Sequence, residues 1–149
     1  MIFNRTISDV NSAKQLRANK IQKGIPLTDV EAEIMERGCI TINTLNRIEE
    51  KQSELKKKLN DMGYYNAPII NKTWGYTDIF TQEDLKRLVG NDIILRDAFY
   101  VYFNSPKNAI AKFHYEEINA IEKILFDISR NIDYTINNYK ICGTVVCGG

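Results

Sequence analysis

The chain is poor in the residues that usually carry chemistry. It has one histidine, His114, and three cysteines, Cys39, Cys142 and Cys147. A lone histidine without clustered cysteines cannot build a zinc site, and an odd cysteine count does not make a disulfide framework. Charge of one sign is lacking too: the net charge is +1 and the pI about 7.6. Met1 to Lys72 holds 12 basic and 9 acidic residues and Thr73 to Gly149 holds 8 and 10, so there is no basic arm or acidic tail. That balance speaks against nucleic-acid binding. No uncharged apolar run approaches the roughly 18 residues of a membrane span, and Met1–Arg5 leads into a polar helix with no apolar signal core. The expectation is a chain folded in the cytoplasm without membrane insertion. Gly-rich phosphate loops, G-x-S-x-G elbows and H-E-x-x-H motifs are missing. The acidic and mixed pairs Glu49-Glu50, Glu116-Glu117 and Arg96-Asp97 are adjacent on helices, so their side chains diverge and suit solvated faces or salt bridges better than a shared site. No enzyme and no cofactor is expected.

What is present is an ordinary globular composition, 44% hydrophobic and 26% charged. At 149 residues the chain is long enough to bury a core without staples. There is no repeat and no dividing linker. The pattern predicts an all-α fold: a helical bundle over residues 1–140 with three long and two short helices, then an extended or hairpin tail over 141–149. Thr6 with Asp9 starts a short helix carrying Ile7, Val10, Ala13 and Leu16. Lys23-Gly24-Ile25-Pro26 breaks it. Thr28 with Glu31 starts a second, whose apolar side is Val30, Ile34 and Met35; Gly38 stands where a left-handed residue would end it. The first long helix, about Ile42 to Met62, has a heptad seam of Leu45, Ile48, Gln52, Leu55, Leu59 and Met62, with Gln52 its polar position. Glu49, Glu50, Lys51, Glu54 and Lys56–Lys58 form its charged face, and Gly63 stops it. Thr81 with Asp84 caps the second, which runs on towards Tyr102. Gly90-Asn91-Asp92 predicts a kink or a division there, each residue being a poor helix former. The third, from Tyr115 to about Lys140, carries Ile118, Ile121, Leu125, Ile128, Ile132, Ile136 and Tyr139.

Two groups of residues are candidates for interaction. The irregular stretch 64–80 holds Tyr64, Tyr65, Trp74, Tyr76 and Phe80. Such aromatics form a protein- or sugar-binding surface, or alternatively Trp74 plugs the end of the bundle. Phe99 to Phe103, with Tyr100 and Tyr102, is apolar on every side, which calls for burial in the core or against a second copy. Cys142 and Cys147 stand four residues apart in the Gly-bounded tail. They are free thiols in a reducing compartment, or a disulfide if a hairpin brings them together in an oxidising one.

Several segments in order carry a likeness: Asn4-Arg5-Thr6 with Asp9-Val10; Leu45-Asn46-Arg47-Ile48-Glu49; Trp74 with Asp78-Ile79-Phe80-Thr81; Leu95-Arg96-Asp97-Ala98-Phe99; Ile121 to Ile128; and Tyr139, Cys142-Gly143-Thr144, Cys147-Gly148. Together they resemble a small helical module found among tail and baseplate proteins of phages, prophages and phage-tail-like bacteriocins of Gram-positive bacteria. The resemblance implies a structural or connecting component of a virion tail or tail-like particle. It would be assembled in the host cytoplasm, present in several copies, and partnered by other tail or baseplate proteins. Its alternative is a host cell-surface glycan-binding module of a tail fibre. Relatives of this pattern often continue past the Cys-Gly tail, so an adhesive domain is not expected within these 149 residues.

Overall fold

Threonine begins four of the helices, for one physical reason. A helix leaves its first N–H groups without partners, and a hydroxyl just outside the first turn accepts one of them. In the computed structural model α1 (Ile7–Asn19), α2 (Asp29–Gly38), α3 (Ile42–Asp61) and α4 (Gln82–Ala98) follow Thr6, Thr28, Thr41 and Thr81. α5 is Tyr115–Thr144. The structure describes residues 1–64, 68–99, 105–106 and 114–144, with the side chains of α5 as far as residue 138. Among them the fold is all-α, with a 3₁₀ turn at Ile21–Lys23 and no strand. Thr6, Thr28 and Thr81 form reciprocal caps with Asp9, Glu31 and Asp84. The hydroxyl of Thr6 holds the Asp9 carboxyl below its usual range, and that of Thr81 does the same for Asp84. Glu31 falls to about 2, first because Lys20 donates to it and then through the Thr28 backbone.

α1 and α2 form a hairpin. Gly24, at φ 69°, turns the chain after the 3₁₀ segment. Lys20–Glu31 at 2.6 Å and Arg37–Asp9 at 3.3 Å tie the two helices together. Gly38 does not have the left-handed conformation expected of it. It is the last helical residue, and a Cβ there would lie 2.2 Å from the Asp9 carbonyl oxygen and 2.4 Å from the Ala13 Cβ. Its role is close helix approach, not a turn. Val30, taken as part of the apolar side of α2, is exposed. Gly90 presents the opposite case, because a Cβ there meets nothing within 4 Å. Gly38→Ala is therefore expected to destabilise by about 1–3 kcal/mol through overpacking. Gly90→Ala should stabilise by about 0.5–1 kcal/mol through helix propensity. Thermal unfolding of the two variants beside the parent checks the opposite signs.

α3, α4 and α5 run parallel. Arg47 meets Glu122 and Lys58 meets Asp133, both 75 residues apart, so α3 and α5 stay in step along their length. Glu49 meets Arg87 and Gln52 meets Asp92, so α4 runs the same way. At the far end the ring of Tyr64, just after α3, packs edge-on against Phe99, just after α4. Parallel neighbours need a connection that returns the full helix length, about 30 Å for the 20 residues of α3. That requirement explains the long stretch between α3 and α4. The seam residues Leu45, Ile48, Leu55, Leu59, Ile118, Ile121, Leu125, Ile128 and Ile132 are buried, joined by Leu85, Leu88, Leu95 and Trp74. Gly63, at φ 87°, ends α3 as expected.

Three boundaries depart from expectation. α4 is one helix through Gly90-Asn91-Asp92 and not two in succession, because Asn91 and Asp92 are buried and bonded across to α3 rather than competing for their own backbone. It ends at Ala98, before Tyr102, because Phe99 is extended. α5 continues through Ile141–Thr144, where an extended tail was expected; residues 145–149 lie outside the described set.

Candidate interaction surface

The return stretch is held down by side chains of α3 and α4. Asn46 accepts from the Trp74 N–H at 2.7 Å and donates to the Trp74 carbonyl at 3.1 Å. Asn91 treats Ile70 the same way, accepting from its N–H at 3.2 Å and donating to its carbonyl at 2.9 Å. An amide side chain offers the donor and acceptor of a peptide, so each asparagine stands in for a neighbouring strand. Between the two lies Glu49. It accepts from the Trp74 indole N–H at 3.1 Å, the Lys72 backbone N–H at 3.2 Å, and Arg87 at 2.5 and 3.0 Å. The placing of Glu49 on a solvated face is thus corrected: it is 3% exposed, because Arg87 neutralises it and the Trp74 indole and Lys72 backbone N–H groups complete its shell.

Gln52, the polar position of the α3 seam, donates to Leu88 and Asp92 and accepts from Asn91. Asp92 is fully enclosed. Burial pushes its carboxyl well up, with the Gln52 bond a smaller opposing effect, and its Oδ2 meets no partner. Another buried acid, Glu122, joins Arg5 and Arg47, while Arg47 also reaches Glu36 at 3.0 Å. That chain of charges joins the N-terminal segment and α2 to α3 and α5.

Of the candidate residues, Trp74 is a core residue. It is 4% exposed, with Phe80 edge-on at 5.5 Å and the Lys72 ammonium 4.0 Å above its ring. Its indole N–H is occupied by Glu49, so a sugar platform built on Trp74 is corrected. Phe80 is partly buried with it. Tyr76 is 98% exposed, and Ile70 and Ile79, on the same loop, are also exposed. Tyr64 is partly exposed against Phe99. Tyr65, Tyr100, Tyr102 and Cys147 lie outside the described residues, as does the side chain of Cys142 in the last turn of α5. His114 is exposed, 3.4 Å from Glu116. Burial raises the Cys39 thiol, which disfavours its thiolate. Among the described residues no group of three or more His, Cys, Asp or Glu could hold a metal, and no helix is long and apolar enough to cross a membrane.

Sequence reasoning missed Glu49, Arg87, Asn46 and Asn91 as the anchors of the loop. One signal was available: a glutamine in an otherwise apolar seam calls for a buried polar partner, and Asn91-Asp92 is such a pair in an otherwise helical run. No family model, curated protein or solved structure matches the chain.

Proposed function

We propose that this chain is a structural, connecting component of a bacteriophage tail, baseplate or tail-like particle, joined to its neighbours by protein–protein contacts. The observation that carries the reading is the anchored loop. Asn46, Glu49, Arg87 and Asn91 hold its backbone, while Ile70, Tyr76 and Ile79 remain exposed on it. Apolar and aromatic groups on a preorganised segment cost little entropy to dock, which suits a permanent contact between particle subunits. The likeness in sequence adds to this, since several of its residues take part in the two sets of polar contacts between elements, Arg5, Arg47 and Glu122 in one and Asn46, Glu49 and Trp74 in the other. In this reading the three longer helices are the scaffold and the two shorter ones a side piece. Several copies assemble by symmetry. The test is mass spectrometry of purified particles, combined with a photo-crosslinker in place of Tyr76. The chain should be present and the crosslinker should capture a particle protein; particles that lack the chain overturn the proposal.

A further inference from the structure

The backbone of the return stretch bonds to the bundle at alternate residues. Ile70 does so through both groups to Asn91, Lys72 through its N–H to Glu49, and Trp74 through both groups to Asn46. No helix or turn interrupts residues 68–74. Bonding every second residue on one side is the pattern of an extended chain, which directs the N–H and C=O of the intervening residues to the other side. Those residues are Ile69, Asn71 and Thr73, and their backbone groups meet no partner among the described residues. Asn71 and Thr73 are exposed, as unpaired backbone groups must be to find water. The edge has defined ends: Pro68 has no N–H, and Gly75 bonds both its groups to Asp78. Exposed strand edges are usually guarded by charge, proline or a covering element. Here the one charge, Lys72, is turned back onto its own loop, 4.0 Å above the Trp74 ring and 3.6 Å from Asp78.

We propose that residues 69–73 pair with the same residues of a second copy of this chain, as an antiparallel two-stranded ribbon centred on Asn71. About that two-fold axis Asn71 faces Asn71 and Ile69 faces Thr73, pairs that together exchange roughly six N–H···O bonds. Between them Ile70 of each copy lies opposite Lys72 of the other. No like charges stand directly opposite, and the lysine stem covers an isoleucine that is 68% exposed in the single chain. A run bounded by Pro68 and Gly75 and centred on an outward residue matches itself end to end, which singles out a copy of this chain over another extended segment. Each strand is already fixed to its own bundle, so pairing avoids the ordering cost that leaves an isolated two-stranded ribbon marginal. The pairing belongs to the chain by itself and does not rest on the tail-particle reading.

The test joins sedimentation velocity with amide hydrogen exchange followed by nuclear magnetic resonance, on the full chain at low and at millimolar concentration. The chain should pass from monomer to dimer. The amides of Ile70, Lys72 and Trp74 should be protected throughout, and those of Ile69, Asn71 and Thr73 only in the dimer. Thr73→Pro removes an outward N–H from each copy while leaving the inward bonds in place, and should weaken dimerisation by about tenfold or more. Thr73→Ala keeps that N–H and should dimerise like the parent, with the Trp74 fluorescence of both variants unchanged. Hydrogen exchange of the parent decides by itself should Thr73→Pro disturb the loop. A chain that stays monomeric at millimolar concentration overturns the proposal. So does a dimer that a folded Thr73→Pro leaves intact, or one in which the three outward amides stay unprotected.

Discussion

Glu49→Ala is expected to lower the unfolding free energy by about 3–5 kcal/mol, the usual cost of removing one partner from a buried ion pair. The substitution does more than delete a charge. Arg87, whose side chain is 18% exposed, would keep only the Ile70 carbonyl and a distant Asp84. The indole N–H of Trp74 and the backbone N–H of Lys72 would be left in a buried site without acceptors. Arg87 can turn partly towards water, which favours the lower end of that range. Trp74 is the only tryptophan, so its fluorescence reports the loop directly. Denaturant unfolding should show a lower midpoint and a red-shifted native spectrum for Glu49→Ala. Glu50→Ala, one residue along and exposed, should stay within about 0.5 kcal/mol of the parent. Equal losses at the two positions would contradict the anchoring role of Glu49.

Asp92→Asn is expected to change how stability depends on pH. The folded protein holds the Asp92 carboxyl well above its ordinary 3.8, so between that value and the raised one the folded state binds a proton the unfolded chain has released. Stability is therefore greatest, for this group, below pH 3.8 and is lost as pH rises through the folded value. The slope approaches about 1.4 kcal/mol per pH unit inside that window. Asp9, Glu31, Glu54 and Asp84 act in the other direction: each is lowered in the folded state, so each loses its contribution as pH falls. The difference between parent and Asp92→Asn isolates the buried group. Unfolding free energies from pH 4 to 8 should show the parent falling relative to Asp92→Asn as pH rises. Parallel curves would mean that Asp92 is not held protonated by the fold.

The local structure was largely legible because its causes are local. Thr6-Asp9, Thr28-Glu31 and Thr81-Asp84 sit three residues apart, and each places a helix start with no help from the rest of the molecule. The α3 and α5 seams were readable because one apolar face must be covered whatever covers it. Residues whose partners are distant in sequence were misread. Gly38 resembles a helix terminator, but its reason is the Asp9 carbonyl 29 residues earlier. Glu49 resembles a surface acid until Arg87, 38 residues later, neutralises it. Asn91 and Asp92 resemble a helix break until Gln52 bonds them from another helix.

By itself the sequence determined that the chain is helical, where most helices start, which stripes of α3 and α5 are buried, and that nothing in it spells a known catalytic motif. These follow from backbone capping and the 3.6-residue period, which act over a few residues. The tertiary structure alone decided that α3, α4 and α5 run parallel and that Trp74 is a core residue while Tyr76 and Ile79 face outward. The direction of packing depends on which side chains meet across 38 to 75 residues of chain, as Glu49 meets Arg87 and Arg47 meets Glu122. Hydrophobic periodicity is the same for a helix in either direction. The polar contacts Glu49–Arg87, Gln52–Asn91 and Arg47–Glu122 distinguish the two, because a reversed helix would leave buried charges without partners.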